Sequence, residues 1–332
     1  MTKWTNKLNL PDPVVRAVTN DDWSRGPGAD ASVTELLSPI RQTALKTSGQ
    51  FGEMTLDVAD QIFALFGKVG HGVLEKAGGD VFQEEQLMMK LGDYTLSGRM
   101  DSLFMDHHTD DTWEIQDYKF TSVYVAKAAK EKDKGRIDEW FTQLNLYRML
   151  AEANGFPIGK LTLVLLLRDW SKLAVLRDPD MPKHQVLKVD CPLMDMDMLQ
   201  KWARNRMERL LEAQQGLDQY GQTHLPLCDS EERWDRPTKY AVKKKGVKKA
   251  LKLENSEEEA FDWASKKGHT VPVDSDNPKG DHTLRTGLFI EHRIDESIRC
   301  EHYCDVSEWC QQFKDSKASI VAVEEIIKTD PS

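Results

Sequence analysis

A chain of 332 residues, 39% of them hydrophobic, has the composition of an ordinary folded protein and room for one large domain or two modest ones. Residues 1–15 mix Lys, Asn, Asp and Pro with isolated apolar residues, unlike a secretory signal, and the longest apolar run, Leu161–Leu167, is too short to cross a bilayer; a cytoplasmic protein without membrane contact is expected. The net charge of -10 argues against a polyanionic partner until its distribution is considered: Arg236–Lys252 holds eight Lys or Arg residues and no acid, so this segment carries +8 and the remainder -18.

Residues 1–34, rich in Pro, Gly, Asp and Asn, read as an extended arm, ending where Ser32 is placed to cap a helix. Over Thr55–Ala77 the apolar residues Val58, Ile62, Leu65, Phe66, Val69 and Val73 fall at helical spacing, closed by Gly78-Gly79. Val81–Leu87, Tyr94–Met105 and Trp113–Lys119 read as a three-stranded meander, the last two joined by the turn Asp106–Asp111. Ile137, Trp140, Phe141, Leu144 and Tyr147 define an amphipathic helix, Leu161–Leu167 a buried strand, and Met196–Leu217 a further helix after an irregular connection, Asp169–Leu193. Beyond Leu225, Tyr240–Lys245 and Val247–Leu253 flank Gly246 like a basic hairpin. Ser256–Lys267 then reads as helical, and Pro272–Gly287 as a loop.

Chemistry concentrates in the meander. Alternate side chains of a strand share a face, so Asp117 and Lys119 point the same way, and a neighbouring strand can set Asp101 beside them. Two carboxylates and an ammonium suit Mg²⁺ or Mn²⁺ and phosphoryl chemistry, although an Asp followed by Asp-x-Lys also occurs in plain surface hairpins. Glu84 or Glu85 could assist a metal, but a solvated strand face accounts for both.

The series Gly70-His71, Gly98-x-x-Asp101, Asp117-x-Lys119 and Gln143-x-x-x-Tyr147 resembles the RecB-like branch of the PD-(D/E)XK nucleases over residues 55–167. The resemblance implies an α/β fold with a mixed sheet flanked by helices. It implies Asp101, Asp117 and His71 as metal ligands, Lys119 as the catalytic lysine, and Gln143 with Tyr147 as substrate-positioning groups. Asp117 stands where Glu is commoner, and Thr121 lies one place later than the Thr that often follows the lysine.

Five cysteines are too few and too unevenly spread for a disulfide scaffold, yet Cys300-x3-Cys304-x5-Cys310, with Cys228 upstream, makes four potential ligands. Several RecB-like nucleases carry a four-iron, four-sulfur (4Fe-4S) cluster on one upstream and three C-terminal cysteines, and this chain is similar to them with two departures. The segment Ser38-Pro39-Ile40-Arg41, where the upstream cysteine would fall, has none, and the first C-terminal gap is three residues rather than two. Zn²⁺, with His302 or His292 replacing one thiol, and metal-free buried cysteines stay open. Cys191 has no partner nearby in sequence and reads as structural. The basic hairpin and the surroundings of Cys228 and Cys300 also resemble bacteriophage-encoded members of the branch.

The expected organisation is an N-terminal arm and helix over 1–50, a nuclease core over 51–225, and a basic hairpin with cysteine cluster over 226–332. The expected function is a Mg²⁺- or Mn²⁺-dependent DNA exonuclease with DNA, and a phage recombination or replication protein, as partners. A non-catalytic DNA-binding or assembly protein is the rival. Lys243, Lys244, Lys245, Lys248 and Lys249 would contact DNA phosphates, or simply keep an exposed hairpin soluble.

Overall fold

The computed structural model describes residues 2–20, 25–50, 54–76, 81–105, 112–128, 136–273, 282–293 and 295–318, and only the backbone of residues 54, 81–85, 128 and 136. The stop Gly78-Gly79, the turn Asp106–Asp111 and the side chains of Glu84 and Glu85 lie outside the described residues. The chain divides into two compact units, Met1–Pro226 and Leu227–Ser332. No helix of the described residues is long and apolar enough to cross a membrane.

The first unit runs β1 (Thr2–Thr5), α1 (Asp12–Thr19), β2 (Ala31–Ser32), α2 (Val33–Leu37), α3 (Ile40–Thr47), β3 (Met54–Asp57), α4 (Ile62–Lys76), β4 (Val81–Leu91), β5 (Tyr94–Met105), β6 (Trp113–Thr121), α5 (Val123–Ala128), α6 (Arg136–Ala153), β7 (Ile158–Leu167), α7 (Lys172–Arg177), β8 (Val186–Cys191) and α8 (Met196–Tyr220). Strands β4, β5 and β6 form an antiparallel meander, β7 returns parallel to β6 after the crossover through α6, and β8 closes the sheet antiparallel to β7. The result is a mixed sheet flanked by helices. Helix α6 is its central support: Ile137, Phe141, Leu144, Leu146, Tyr147, Met149 and Leu150 are all buried, so more of its surface is covered than a single amphipathic stripe requires. Asn145 is also buried there, and its amide donates to Phe141 O at 2.9 Å and Pro192 O at 3.1 Å.

One feature of the sheet places the chemistry. The β5–β6 ladder runs from Met105↔Trp113 to Ser102↔Gln116 and stops, and farther along, the short parallel strand β2 pairs with Leu96 and Ser97 of β5. The sheet therefore forks one position before Asp101 and Asp117. Ser32 makes the expected cap at the start of α2, its hydroxyl accepting from the Glu35 N–H at 3.2 Å while the Glu35 carboxylate accepts from the Ser32 N–H at 2.8 Å.

Several expectations need correction. Residues 2–20 and 25–34 are not an extended arm: β1 pairs parallel with β3, α1 follows, and β2 joins the main sheet. The helix expected from Thr55 starts at Ile62, because Asp57 ends β3 by accepting from Thr5 Oγ1 at 2.7 Å and the Ala59 N–H at 3.1 Å, which turns the chain into a short 3₁₀ segment. Its apolar stripe is not core either: Phe66, Val69 and Val73 are exposed, and Gly70 and His71 are among the residues turned inward. The connection Asp169–Leu193 contains α7 and β8; only Leu187, Val189 and Cys191 of β8 turn toward the protein, a short alternation broken by exposed Lys188 and Asp190.

The second unit runs α9 (Ser230–Arg233), β9 (Asp235–Arg236), β10 (Lys239–Lys244), β11 (Lys252–Glu254), α10 (Glu257–Lys266), β12 (Thr270–Pro272), β13 (His282–Leu284), β14 (Leu288–Arg293), β15 (Glu296–Ser297) and α11 (Ile298–His302). Strand β10 is central, antiparallel to both β11 and β14, and α10 packs on this sheet around Val242, Ala260 and Ala264 with Tyr240, Trp263, Leu284 and Ile290. The expected tight turn at Gly246 is instead a loop over 245–251, since the ladder ends at Val242↔Lys252; Gly246 has φ +81°, which glycine adopts without strain.

Candidate active site

The fork brings four of the expected residues together. Asp101 lies just past the last β5–β6 pair, and its Oδ2 accepts from the Tyr118 N–H at 2.8 Å, taking the place of a ladder carbonyl. On β6, Asp117 and Lys119 lie in register with the fully buried Leu163 and Leu165 of β7, which line their strand with hydrocarbon. Asp117 is itself 1% exposed. The Lys119 ammonium donates to Asp117 Oδ1 at 2.9 Å and stands 2.7 Å from Oδ2, but at an angle that makes no hydrogen bond, so Oδ2 accepts none among the described residues. Burial, with the like charge of Asp101 added, pushes the Asp117 carboxyl up to about 6 against the pull of Lys119.

His71 arrives from α4. Its Nδ1 is 3.6 Å from Asp101 Oδ2, an approach without a direct hydrogen bond, and its ring meets the edge of Phe120 at a centroid distance of 5.9 Å. The helix comes this close because Gly70 has no side chain: a Cβ there would stand 1.9 Å from the Phe120 ring. On the other side, Gly98 admits α6. A Cβ on Gly98 would lie 2.6 Å from Leu150 Cδ1 and 3.1 Å from the Tyr147 ring. Tyr147 is buried and its hydroxyl accepts from Gln143 Nε2 at 2.8 Å, so the two expected positioning residues hold one another.

A cavity of about 470 Å³ opens beside this group, lined by His71, Asp101 and Tyr147 among others. Among the described residues no three His, Cys, Asp or Glu side chains already stand as a ready metal cage.

In the second unit no disulfide joins any cysteine. Cys228 is fixed by a two-way bond with Gln312, whose Oε1 accepts from the Cys228 N–H at 2.9 Å and whose Nε2 donates to Cys228 O at 2.8 Å. Burial pushes the Cys228 and Cys304 thiols up to about 12 and Cys300 up to about 11, with smaller contributions from others of the four, and among the described residues no three of these thiols stand as a group that could hold a metal ion. Arg299 lies over the Trp234 ring at 4.2 Å and Tyr303 meets that ring's edge. His292 stacks on Tyr240 at 4.8 Å, and His302 Nε2 lies 3.3 Å from Glu296 Oε1. Both imidazoles thus have other contacts. Cys191 is buried in the first unit, beside the Asn145 amide at 3.4 Å.

Of the hairpin lysines, Lys244, Lys245, Lys248 and Lys249 are exposed, whereas Lys243 is bound to Glu291 Oε2 at 2.5 Å. Sequence reasoning missed Lys68 and Arg99, which line the cavity with His71 and Asp101. Their spacing from those two residues, three on a helix and two on a strand, was the available signal.

No protein-family model matches the sequence, and no curated protein does. Among solved structures, one titled crystal structure of SSO0001 resembles part of the chain, with 16% identity over 59% of this chain and 81% of its own and a TM-score of 0.36.

Proposed function

We propose that this protein is a metal-dependent deoxyribonuclease with a PD-(D/E)XK core, hydrolysing phosphodiester bonds and working on DNA ends. The observation that carries the reading is the buried Asp117 carboxylate, with one oxygen lacking a hydrogen bond, set at a sheet fork beside Asp101, Lys119 and His71. Two carboxylates in a buried site repel one another, and Lys119, 2.7 Å from Asp117 Oδ2, offsets only part of the cost of burying that carboxylate. A divalent cation answers both, and a set of carboxylate oxygens with one imidazole suits Mg²⁺ or Mn²⁺.

In this reading Asp101, Asp117 and His71 hold the ion, which when bound supplies charge neutralisation at the scissile phosphate and a water of lowered pKa. Lys119 presents a fixed positive charge on the strand face of Asp117, where it orients the attacking water and stabilises charge that develops on the phosphate oxygens. Tyr147, held by Gln143 on the cavity wall, positions the strand. The four thiols of the second unit hold a 4Fe-4S cluster as a structural staple. Zn²⁺ is the alternative occupant, on the cysteines alone or with His302 or His292 in place of one thiol.

Incubation of the purified protein with end-labelled linear and closed circular DNA in Mg²⁺ or Mn²⁺ tests the function. Digestion of the linear form alone is expected. Binding with no digestion of either form would favour a non-catalytic DNA-binding or assembly protein.

A further inference from the structure

Helix α4 presents aromatic rings to solvent. Phe63 is 65% exposed and Phe66 57%, one helical turn apart, and their rings meet edge to face at a centroid distance of 6.4 Å. Large apolar side chains exposed together mark a contact surface. The same helix serves the candidate active site, because Ala64, Gly67 and His71 line the cavity beside Asp101. Phe63 and Phe66 are each adjacent in sequence to one of these lining residues.

A cation accompanies the pair. The exposed Arg168 guanidinium lies over the Phe63 ring, 4.7 Å from its centroid, and among the described residues no carboxylate pairs with it. Its position is fixed by the backbone: the Arg168 N–H donates to Thr121 O at 2.9 Å, just past the last β6–β7 pair, Thr121↔Leu167. Thr121 ends the strand that carries Asp117 and Lys119. The ring and the charge thus stand at the end of the catalytic strand.

This composition selects the occupant. Whatever covers Phe63 meets an apolar ring and a positive charge at one place, and a nucleotide supplies both complements, a flat π-face for the ring and a phosphate for the planar guanidinium. In a duplex the base faces are already stacked on one another, so the platform suits unpaired bases. Phe63 lies eight residues before His71, about 12 Å along the helix, the length of roughly four stacked nucleotides.

We infer that Phe63, Phe66 and Arg168 form a platform on which unpaired bases of the DNA strand stack, so that the strand is single-stranded where it crosses α4. The inference rests on the nuclease reading for its place in a reaction, but stacking itself requires no hydrolysis.

The test is fluorescence anisotropy of the full-length protein, with no divalent cation added, on labelled oligodeoxynucleotides of one length across a salt series. The probes are a normal single strand, an abasic strand with the same phosphates, and a blunt duplex. The wild type is expected to bind the normal strand about tenfold more tightly than the abasic one. Phe63→Ala and Phe66→Ala, both at exposed positions, should each remove most of that preference and leave the salt slope unchanged, since they delete a ring and no charge. Binding of the abasic strand and of the duplex should not respond to either. Phe66→Tyr should retain the preference and Phe66→Leu should lose it, because leucine keeps apolar area without a π-face. Arg168→Ala should reduce the slope of log affinity against log salt by about one unit.

Equal binding of the normal and abasic strands by the wild type, or a preference that survives in both Phe63→Ala and Phe66→Ala, would overturn the platform. The nuclease reading would then stand if the wild type still cuts in Mg²⁺ or Mn²⁺. A wild-type dimer in sedimentation that Phe66→Ala dissociates, with DNA affinity unchanged, would overturn it too and assign the face to a second copy of this chain. Ring-dependent binding of the single strand without cutting would keep the platform and overturn the nuclease reading.

Discussion

The two units solve opposite problems. The first buries Leu96, Met100, Leu103, Ile115, Leu144, Leu150, Leu163 and many other large side chains, and on that foundation it carries a carboxylate in an environment that disfavours its charge. Among the described residues of the second, the buried hydrophobics are Ala241, Val242, Ala260, Ala264, Val306 and Cys310, all small. A core of that kind contributes too little to fix a fold of several short strands, and small folds of this type are commonly held by a metal or by disulfides. A large core tolerates a strained site; a small one needs a bond. The same element type, a cluster of potential metal ligands, is therefore read as chemistry in the first unit and as architecture in the second.

The largest expected effect breaks that contrast on the architectural side. If the four thiols hold a structural metal as proposed, Ser substitution at Cys228, Cys300, Cys304 or Cys310 should abolish the cooperative unfolding of the second unit, because structural metal sites contribute on the order of 10 kcal/mol. Hydrogen exchange should show the first unit still protected. Cys191→Ser, in a well-packed site, should change stability by about 1 kcal/mol or less. Protein purified without oxygen should be brown and contain iron and sulfide; a colourless protein with stoichiometric zinc would change the occupant without changing the contrast.

Next in size are Asp101→Ala, Asp117→Ala and Lys119→Ala, each expected to slow DNA cleavage by at least ~10²-fold while circular dichroism and DNA affinity change little. Near-normal cleavage by Lys119→Ala would remove the first unit's site from chemistry. Smaller again is Gly98→Ala. Its new Cβ must displace Leu150 or Tyr147, for about 1–3 kcal/mol of lost stability in thermal or denaturant unfolding, with a weaker Gln143–Tyr147 contact as the second readout.

The smallest effect concerns the exposed lysines of the β10–β11 loop. Neutralising Lys244, Lys248 and Lys249 together should reduce the salt slope of DNA binding by about two to three units, with catalysis retained at saturating DNA. Lys243→Gln should do less, since Glu291 already neutralises that ammonium. An unchanged slope in the triple variant would assign the loop to solubility.

What was legible in the sequence follows the same division between local and long-range causes. Strands β5 and β6 were readable because their alternation is local, and with it the shared face of Asp117 and Lys119. Ser32 capping Glu35 was readable for the same reason. The orientation of α4 was not: its phenylalanines and valines mimic a core stripe, and only the Phe120 ring, fifty residues on from Gly70, determines that the glycine side faces inward. The pairing of β1 with β3 and of Lys243 with Glu291 likewise depends on residues far apart in the chain. The fork itself, where the ladder stops between Ser102 and Asp101, has no signature in residue type at all.

Titration of the protein with Mn²⁺, followed by electron paramagnetic resonance of the free ion, tests the central claim most directly, because it asks whether the fork holds a divalent cation before any substrate or turnover enters. Saturable binding by the wild type is expected, lost in Asp101→Ala and in Asp117→Ala and retained in Lys119→Ala. No binding by the wild type, or equal binding by Asp117→Ala, would contradict the account.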